Sequence, residues 1–133
     1  MSNPSKIAVK EADGPNGSPY LSNMIVSGKT VYLAGCIGIG ENNALVPGGV
    51  APETTQALKE AAKRLAFIGL HLSDVVSVTI YISNYAENFS GLQKAYLAAF
   101  PTDSPLPVRC GIGVAALPLN AAVEFSIIAA TRD

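Results

Sequence analysis

Leu106-Pro107-Val108-Arg109-Cys110-Gly111-Ile112-Gly113-Val114-Ala115-Ala116-Leu117-Pro118-Leu119-Asn120-Ala121-Ala122-Val123-Glu124-Phe125-Ser126-Ile127-Ile128 is the stretch on which the fold turns. It contains two apolar runs, residues 108–116 and 122–130, joined at Pro118-Leu119-Asn120, and it reads as two strands around a tight turn. Each run carries one charge. Arg109 interrupts the first, and a guanidinium in an apolar strand stays charged and is costly to bury unpaired. Gly111 and Gly113 follow it on the same side of the strand, where glycine often marks the close approach of a ligand or a backbone. Glu124 interrupts the second run, and a carboxylate there either finds a donor or rises in pKa. Arg109 therefore reads either as a binder of a carboxylate or phosphate, or as one half of an ion pair. In a hairpin with Leu117 opposite Ala121, Glu124 would face Val114, about 17 Å along the sheet from Arg109 at ~3.4 Å per residue. That spacing leaves room for a substrate and a water.

Working outward, residues 75–82 form a β-branched strand. Residues 87–100 form a helix that buries Phe89, Leu92, Tyr96 and Phe100. Residues 52–70 form another, with Leu58, Ala61, Ala62, Leu65 and Ile68 as its apolar stripe. Lys59, Glu60, Lys63 and Arg64 make its wet face, Pro52 suits its first turn and Gly69 its end. Residues 30–39 are a strand with Val31, Leu33, Ile37 and Ile39 on one face and Tyr32, Ala34, Cys36 and Gly38 on the other. Short strands at 7–9 and 24–26 precede it, and loops fall at 14–19, 40–49 and 101–107. The order is β-β-β-α-β-α-β-β, an α+β fold in one domain over 1–133, with a mixed sheet of about six strands and both helices on one face. Several strands are apolar on both faces: Val75 and Tyr81 oppose Val76, Val78, Ile80 and Ile82, and Ala122 and Ile128 oppose Val123, Phe125 and Ile127. A sheet with one solvated face alternates more cleanly, so the second face is expected to be covered by other copies of the chain.

Composition narrows the function. With a net charge of −1 and only 14% charged residues, the chain lacks the basic surplus of a nucleic-acid binder. No run approaches the roughly 20 apolar residues of a membrane helix, and the N-terminus resembles neither a signal nor a transit peptide. A cytoplasmic location is expected, with an organelle matrix as the alternative. Cys36 and Cys110 read as reduced core thiols, and a single His71, placed to cap a helix end, cannot build a metal cluster with them. Tyr20 follows a Gly/Pro loop and reads either as a lid or as an ordinary loop aromatic. Gly35, Gly38 and Gly40 do not lead straight into a helix, so they are not a dinucleotide fingerprint.

From about Ile7 to Thr131 the chain resembles the RidA (YjgF) family of enamine/imine deaminases. Pro107-Val108-Arg109, Val114-Ala115-Ala116-Leu117-Pro118 and Val123-Glu124-Phe125 stand at the family's spacing. Pro19-Tyr20, Gly35-Cys36-Ile37, Gln56-Ala57-Leu58 and Leu72-Ser73-Asp74-Val75-Val76 support it. The resemblance implies a chorismate-mutase-like fold, a closed homotrimer with clefts between subunits, and no metal or organic cofactor. It implies hydrolysis of 2-imino or enamino acids, of the 2-aminoacrylate type released by serine and threonine dehydratases, to 2-oxo acids and ammonia. Arg109 would hold the substrate carboxylate and Glu124 would handle the attacking water. Tyr20, Gly35, Cys36, Gln93, Cys110 and Gly111 would line the substrate site. Four positions depart from the family pattern: Ala34 and Cys36, since Ala34-Gly35-Cys36 stands for Ser-Gly-Gln, then Gln93 for Asn and Gly111 for Cys. These departures keep open a non-catalytic protein that binds 2-oxo acids. A ribonuclease or translation inhibitor fits the weak charge least.

Overall fold

A computed structural model describes residues 1–15 and 17–133; Asn16, part of the first predicted loop, lies outside the described residues. Eight main elements follow the predicted order: β1 (Ile7–Ala8), β2 (Met24–Ser27), β3 (Thr30–Cys36), α1 (Val50–Ala66), β4 (Val75–Ser83), α2 (Tyr85–Ala99), β5 (Val108–Val114) and β6 (Val123–Ala130). One six-stranded sheet runs in the order β1-β2-β3-β6-β4-β5. β4 and β5 are parallel, as a crossover through α2 requires, and the remaining pairs are antiparallel.

The last strand in sequence is thus central in space. Val123, Phe125, Ile127 and Ala129 alternate along β6 and are buried, while Glu124, Ser126 and Ile128 point to the other face. The buried set meets Leu58, Ala61 and Leu65 of α1 and Leu92 and Tyr96 of α2 in one core. Both helices therefore lie on one face, as expected.

Several local expectations change. β5 and β6 do not form a hairpin, because β4 lies between them. The eight residues 115–122 are long enough to pass the end of one strand, and Leu119 and Asn120 take φ of 55° and 59° to do so. β5 consequently becomes an edge strand, exposed along nearly its whole length, with Val108 71% and Ile112 43% accessible. Cys110 is exposed with it, instead of joining the core. β3 ends at Cys36, and a register shift between Leu33 and Cys36 turns Cys36 onto the buried face with Val31 and Leu33. A second shift between Val75 and Ser77 buries Val75 with Val78, Ile80 and Ile82 and exposes Val76. The period-2 reading could not register either bulge. Phe89 is only partly buried, and α1 and α2 each begin two residues earlier than the pattern suggested.

Truncating Phe125 to Ala should cost about 3–5 kcal/mol, whereas Val76→Ala should cost less than about 1 kcal/mol. Urea denaturation of the two variants checks this; equal losses would contradict the burial assigned to β6.

Candidate active site

The buried face of the sheet supplies the first cluster. Arg109 is in register with Val78 on the neighbouring parallel strand, so its side chain leaves the sheet on the helix side. There its guanidinium sits over the Tyr96 ring, 4.8 Å from the centroid. Burial pushes the Tyr96 phenol up, and the Arg109 charge draws it part of the way back. Gln93, Tyr96, Leu97, Leu106, Pro107 and Arg109 enclose a cleft of about 340 Å³. Gly111 and Gly113 lie farther along the same side of β5. The space beside them is not hollow: a Cβ on Gly111 would come 3.8 Å from Phe89 Cε1, and one on Gly113 would come 3.2 Å from Tyr85 Cβ. Gly113 lets the first turn of α2 settle on the sheet, where Tyr85 and Phe89 stack at 4.9 Å, whereas a Cβ on Gly111 would make only ordinary contacts.

Glu124 belongs to the opposite face. It is in register with Tyr81, between strands whose Val123 and Ile82 neighbours point into the core. Its carboxylate lies directly on Gly35: a Cβ there would fall 2.5 Å from Glu124 Oε2 and 2.9 Å from Cδ. Gly35 therefore has to be glycine for Glu124 to occupy this place. Arg109 and Glu124 leave opposite faces of the same sheet, and the ion-pair reading fails within one chain for that reason.

The other predicted residues divide between these groups. Gln93 joins Arg109, and Gly35 joins Glu124. Cys36 is next to Gly35 in sequence, but its thiol is buried on the helix side. Cys110 faces away from Arg109, in register with Thr79. Tyr20 stands 92% exposed in the loop before β2, where its N–H donates to Ser18 Oγ at 3.0 Å. The His71 N–H donates to Asp74 Oδ2 at 2.8 Å at the start of the short turn Leu72–Asp74, so His71 caps the entrance of that turn and not, as expected, the end of the preceding helix. A second cavity, about 360 Å³ between Val26, Ile68, Leu70 and Thr131, holds none of the singled-out residues.

Two charged residues were missed. Glu53 is 6% exposed, and its Oε1 accepts the Ala122 N–H at 2.8 Å, tying the first turn of α1 to the entrance of β6. Gly38 packs so closely on Glu53 that a Cβ would lie 2.6 Å from its Cα. The signal was available, since Glu53 shares a helical stripe with Ala57 and Ala61. Arg64, read as part of the wet face, instead turns inward; its side chain is only 12% exposed.

Comparison with known proteins places the chain in a family. The family model described as Endoribonuclease L-PSP matches residues 13–131. The chain belongs to the RidA (YjgF) family. Within it, a 2-iminobutanoate/2-iminopropanoate deaminase of Dermatophagoides farinae is 38% identical over 111 residues, covering 83% of this chain and 84% of its own. The human protein of the same name is 32% identical over 124 residues, covering 92% and 87%. Among solved structures, the Rid-family protein YyfA of Yersinia pestis superposes with a TM-score of 0.85 at 28% identity, over 95% of this chain and 99% of that one.

Burial pushes the Cys36 thiol up to about 11 from an ordinary 9.0; the nearby Arg64 charge pulls it down, and Glu60 and Glu124 add to the rise. As pH rises the unfolded chain loses this proton first, so the contribution to stability is complete below about pH 9 and is lost by about pH 11. The difference in unfolding free energy between wild type and Cys36→Ala should therefore shrink across that window by on the order of 2–3 kcal/mol. Urea titrations at pH 7.5 and 10.5 measure it; a pH-independent difference would contradict the buried neutral thiol.

Proposed function

We propose that the chain assembles as a closed homotrimer and hydrolyses 2-imino acids, or their enamine tautomers, to 2-oxo acids and ammonia at clefts between subunits. The observation that carries this reading is the placing of Arg109 and Glu124 on opposite faces of one sheet. Among the described residues, the cleft that holds Arg109 does not include Glu124. If the exposed β5 edge of one copy packs on the Glu124 face of the next, both groups reach one space, and the apolar surface of Val108 and Ile112 is covered. The deaminase names of the relatives supply the chemistry.

In this cleft Arg109 binds the substrate carboxylate with its fork of donors, and Gln93 lies beside it. Glu124, on the partner, takes a proton from water as the water oxygen bonds to the imine carbon. The same proton passes to nitrogen and gives a carbinolamine; Glu124 then carries the proton of the new hydroxyl to the amine as the C=O bond forms and the C–N bond breaks, and ammonia leaves a 2-oxo acid behind. For an enamine such as 2-aminoacrylate, protonation of the methylene carbon and loss of a proton from nitrogen first give the imine. Free imines hydrolyse unaided, so holding water and substrate together supplies much of the acceleration needed. Tyr20, in an exposed loop, closes the cleft from the side. The dehydratases that act on serine and threonine release suitable substrates.

The decisive experiment generates 2-aminoacrylate in situ with a dehydratase and follows release of the oxo acid. Arg109→Ala and Glu124→Gln should each abolish acceleration while the trimer persists in sedimentation. Co-refolding the two variants in equal amounts should restore activity in about a quarter of the clefts, because one intact partner of each kind then meets. Full activity of Arg109→Ala would overturn the assignment. Recovery of no activity on mixing active-site-complementary subunits would overturn the shared cleft. Folded wild-type protein that binds 2-oxo acids, raising its Tm, without accelerating hydrolysis would favour the binding protein over the enzyme.

A further inference from the structure

We propose that Arg64 is a positioning residue for Glu124, acting through the Ala34–Gly35 backbone. This rests on the reading of Glu124 as the group that handles water. Arg64 lies in α1, on the far side of the sheet from the Glu124 carboxylate. Its Nη1 donates to the Ala34 carbonyl at 3.2 Å and comes within 3.5 Å of Cys36 Sγ. Its Nε donates to Glu60 Oε2 at 3.2 Å, one helical turn earlier. The guanidinium is thus held at one end by its own helix and holds the strand at the other.

The place it holds is the irregularity in β3. Pairing with β6 runs regularly from Thr30 to Leu33 and resumes one step out of register at Cys36. Ala34 and Gly35 are the residues between. On the outer side of the irregularity the Ala34 N–H donates to the Asn23 carbonyl at 2.9 Å, but the Asn23 N–H is directed to Asp13 Oδ1 at 3.1 Å. The Ala34 carbonyl therefore lacks its usual return partner on β2, and Arg64 supplies one. The Cys36 thiol donates weakly to the same oxygen at 3.6 Å. A β-bulge without such a grip can relax by one residue, and that slip would carry Gly35 to the other face.

Gly35 is the surface on which the Glu124 carboxylate lies. Any movement of its backbone moves that surface, and a shift of about 1 Å at a reacting group can cost on the order of 100-fold in rate. Arg64 touches neither water nor substrate in this arrangement. Its effect reaches Glu124 only through the carbonyl it fixes.

The test compares Arg64→Met, Arg64→Lys and, as a control, Lys63→Met, an exposed neighbour on the same helix. In the imine assay Arg64→Met should lower kcat about 10- to 100-fold with KM changed less than about threefold, because Arg109 still binds the carboxylate. Arg64→Lys, which keeps one cationic donor, should recover part of kcat. Lys63→Met should match wild type. Two readouts need no substrate: amide exchange at Gly35 should accelerate in Arg64→Met, and the side-chain carboxyl 13C resonance of Glu124 should move. Unchanged kcat in Arg64→Met would overturn the proposal. So would equal losses in Arg64→Met and Arg64→Lys together with unperturbed Gly35 exchange and Glu124 resonance. If wild type accelerates no imine hydrolysis, the deaminase reading fails by itself, and the Gly35 and Glu124 signals still decide whether Arg64 positions them.

Discussion

β6 must bury Val123, Phe125, Ile127 and Ala129 on one side and can do so only between β3 and β4, beneath both helices. Each fully buried side chain of this size contributes about 1.5–3 kcal/mol, more than a solvated edge position could return. Once β6 takes the centre, β5 is displaced to the edge beside β4. The two charged residues of the C-terminal stretch are then separated by a strand and by the sheet itself. The same alternation that buries Phe125 turns Glu124 outward, toward the face without helices.

The helices do more than cover the core. Glu53 in the first turn of α1 holds the Ala122 N–H, and the Ser83 hydroxyl donates to the Ala121 carbonyl at 2.9 Å. The entrance of β6 is therefore fastened from α1 and from the end of β4, two residues before Glu124. Arg64, about three turns along α1, fastens β3 where Glu124 rests on it. One helix thus braces both strands that form the Glu124 side of the site. The Arg109 side is built differently: Tyr96 supplies a ring beneath the guanidinium, and Gly113 admits the start of α2.

The element order and the assignment of both helices to one face were legible because period and punctuation are local properties. So was the choice of Arg109 and Glu124 as candidates, since a charge inside an apolar strand is conspicuous in any fold. The partners of β5 and β6 were not legible. A short turn between apolar runs suggests a hairpin, and nothing nearby in sequence announces that β4 will enter between them. The bulge at Ala34–Gly35 was hidden for a related reason: an inserted residue reverses the faces beyond it without changing the composition of the strand. Arg64 was misassigned because a helical wheel places it beside Lys63 and cannot show that a strand carbonyl needs a donor.

The amino-acid sequence by itself determined which residues form strands and helices, which side chains seek the core, and which two charges stand out in apolar surroundings. These follow from the chemistry of each residue and its near neighbours. Only the tertiary structure decided that Arg109 and Glu124 leave opposite faces, that Cys36 is buried while Cys110 is exposed, and that Glu53 holds the Ala122 N–H and Arg64 the Ala34 carbonyl. Each of these depends on strand register and order, which are set by the competition of distant segments for one buried face.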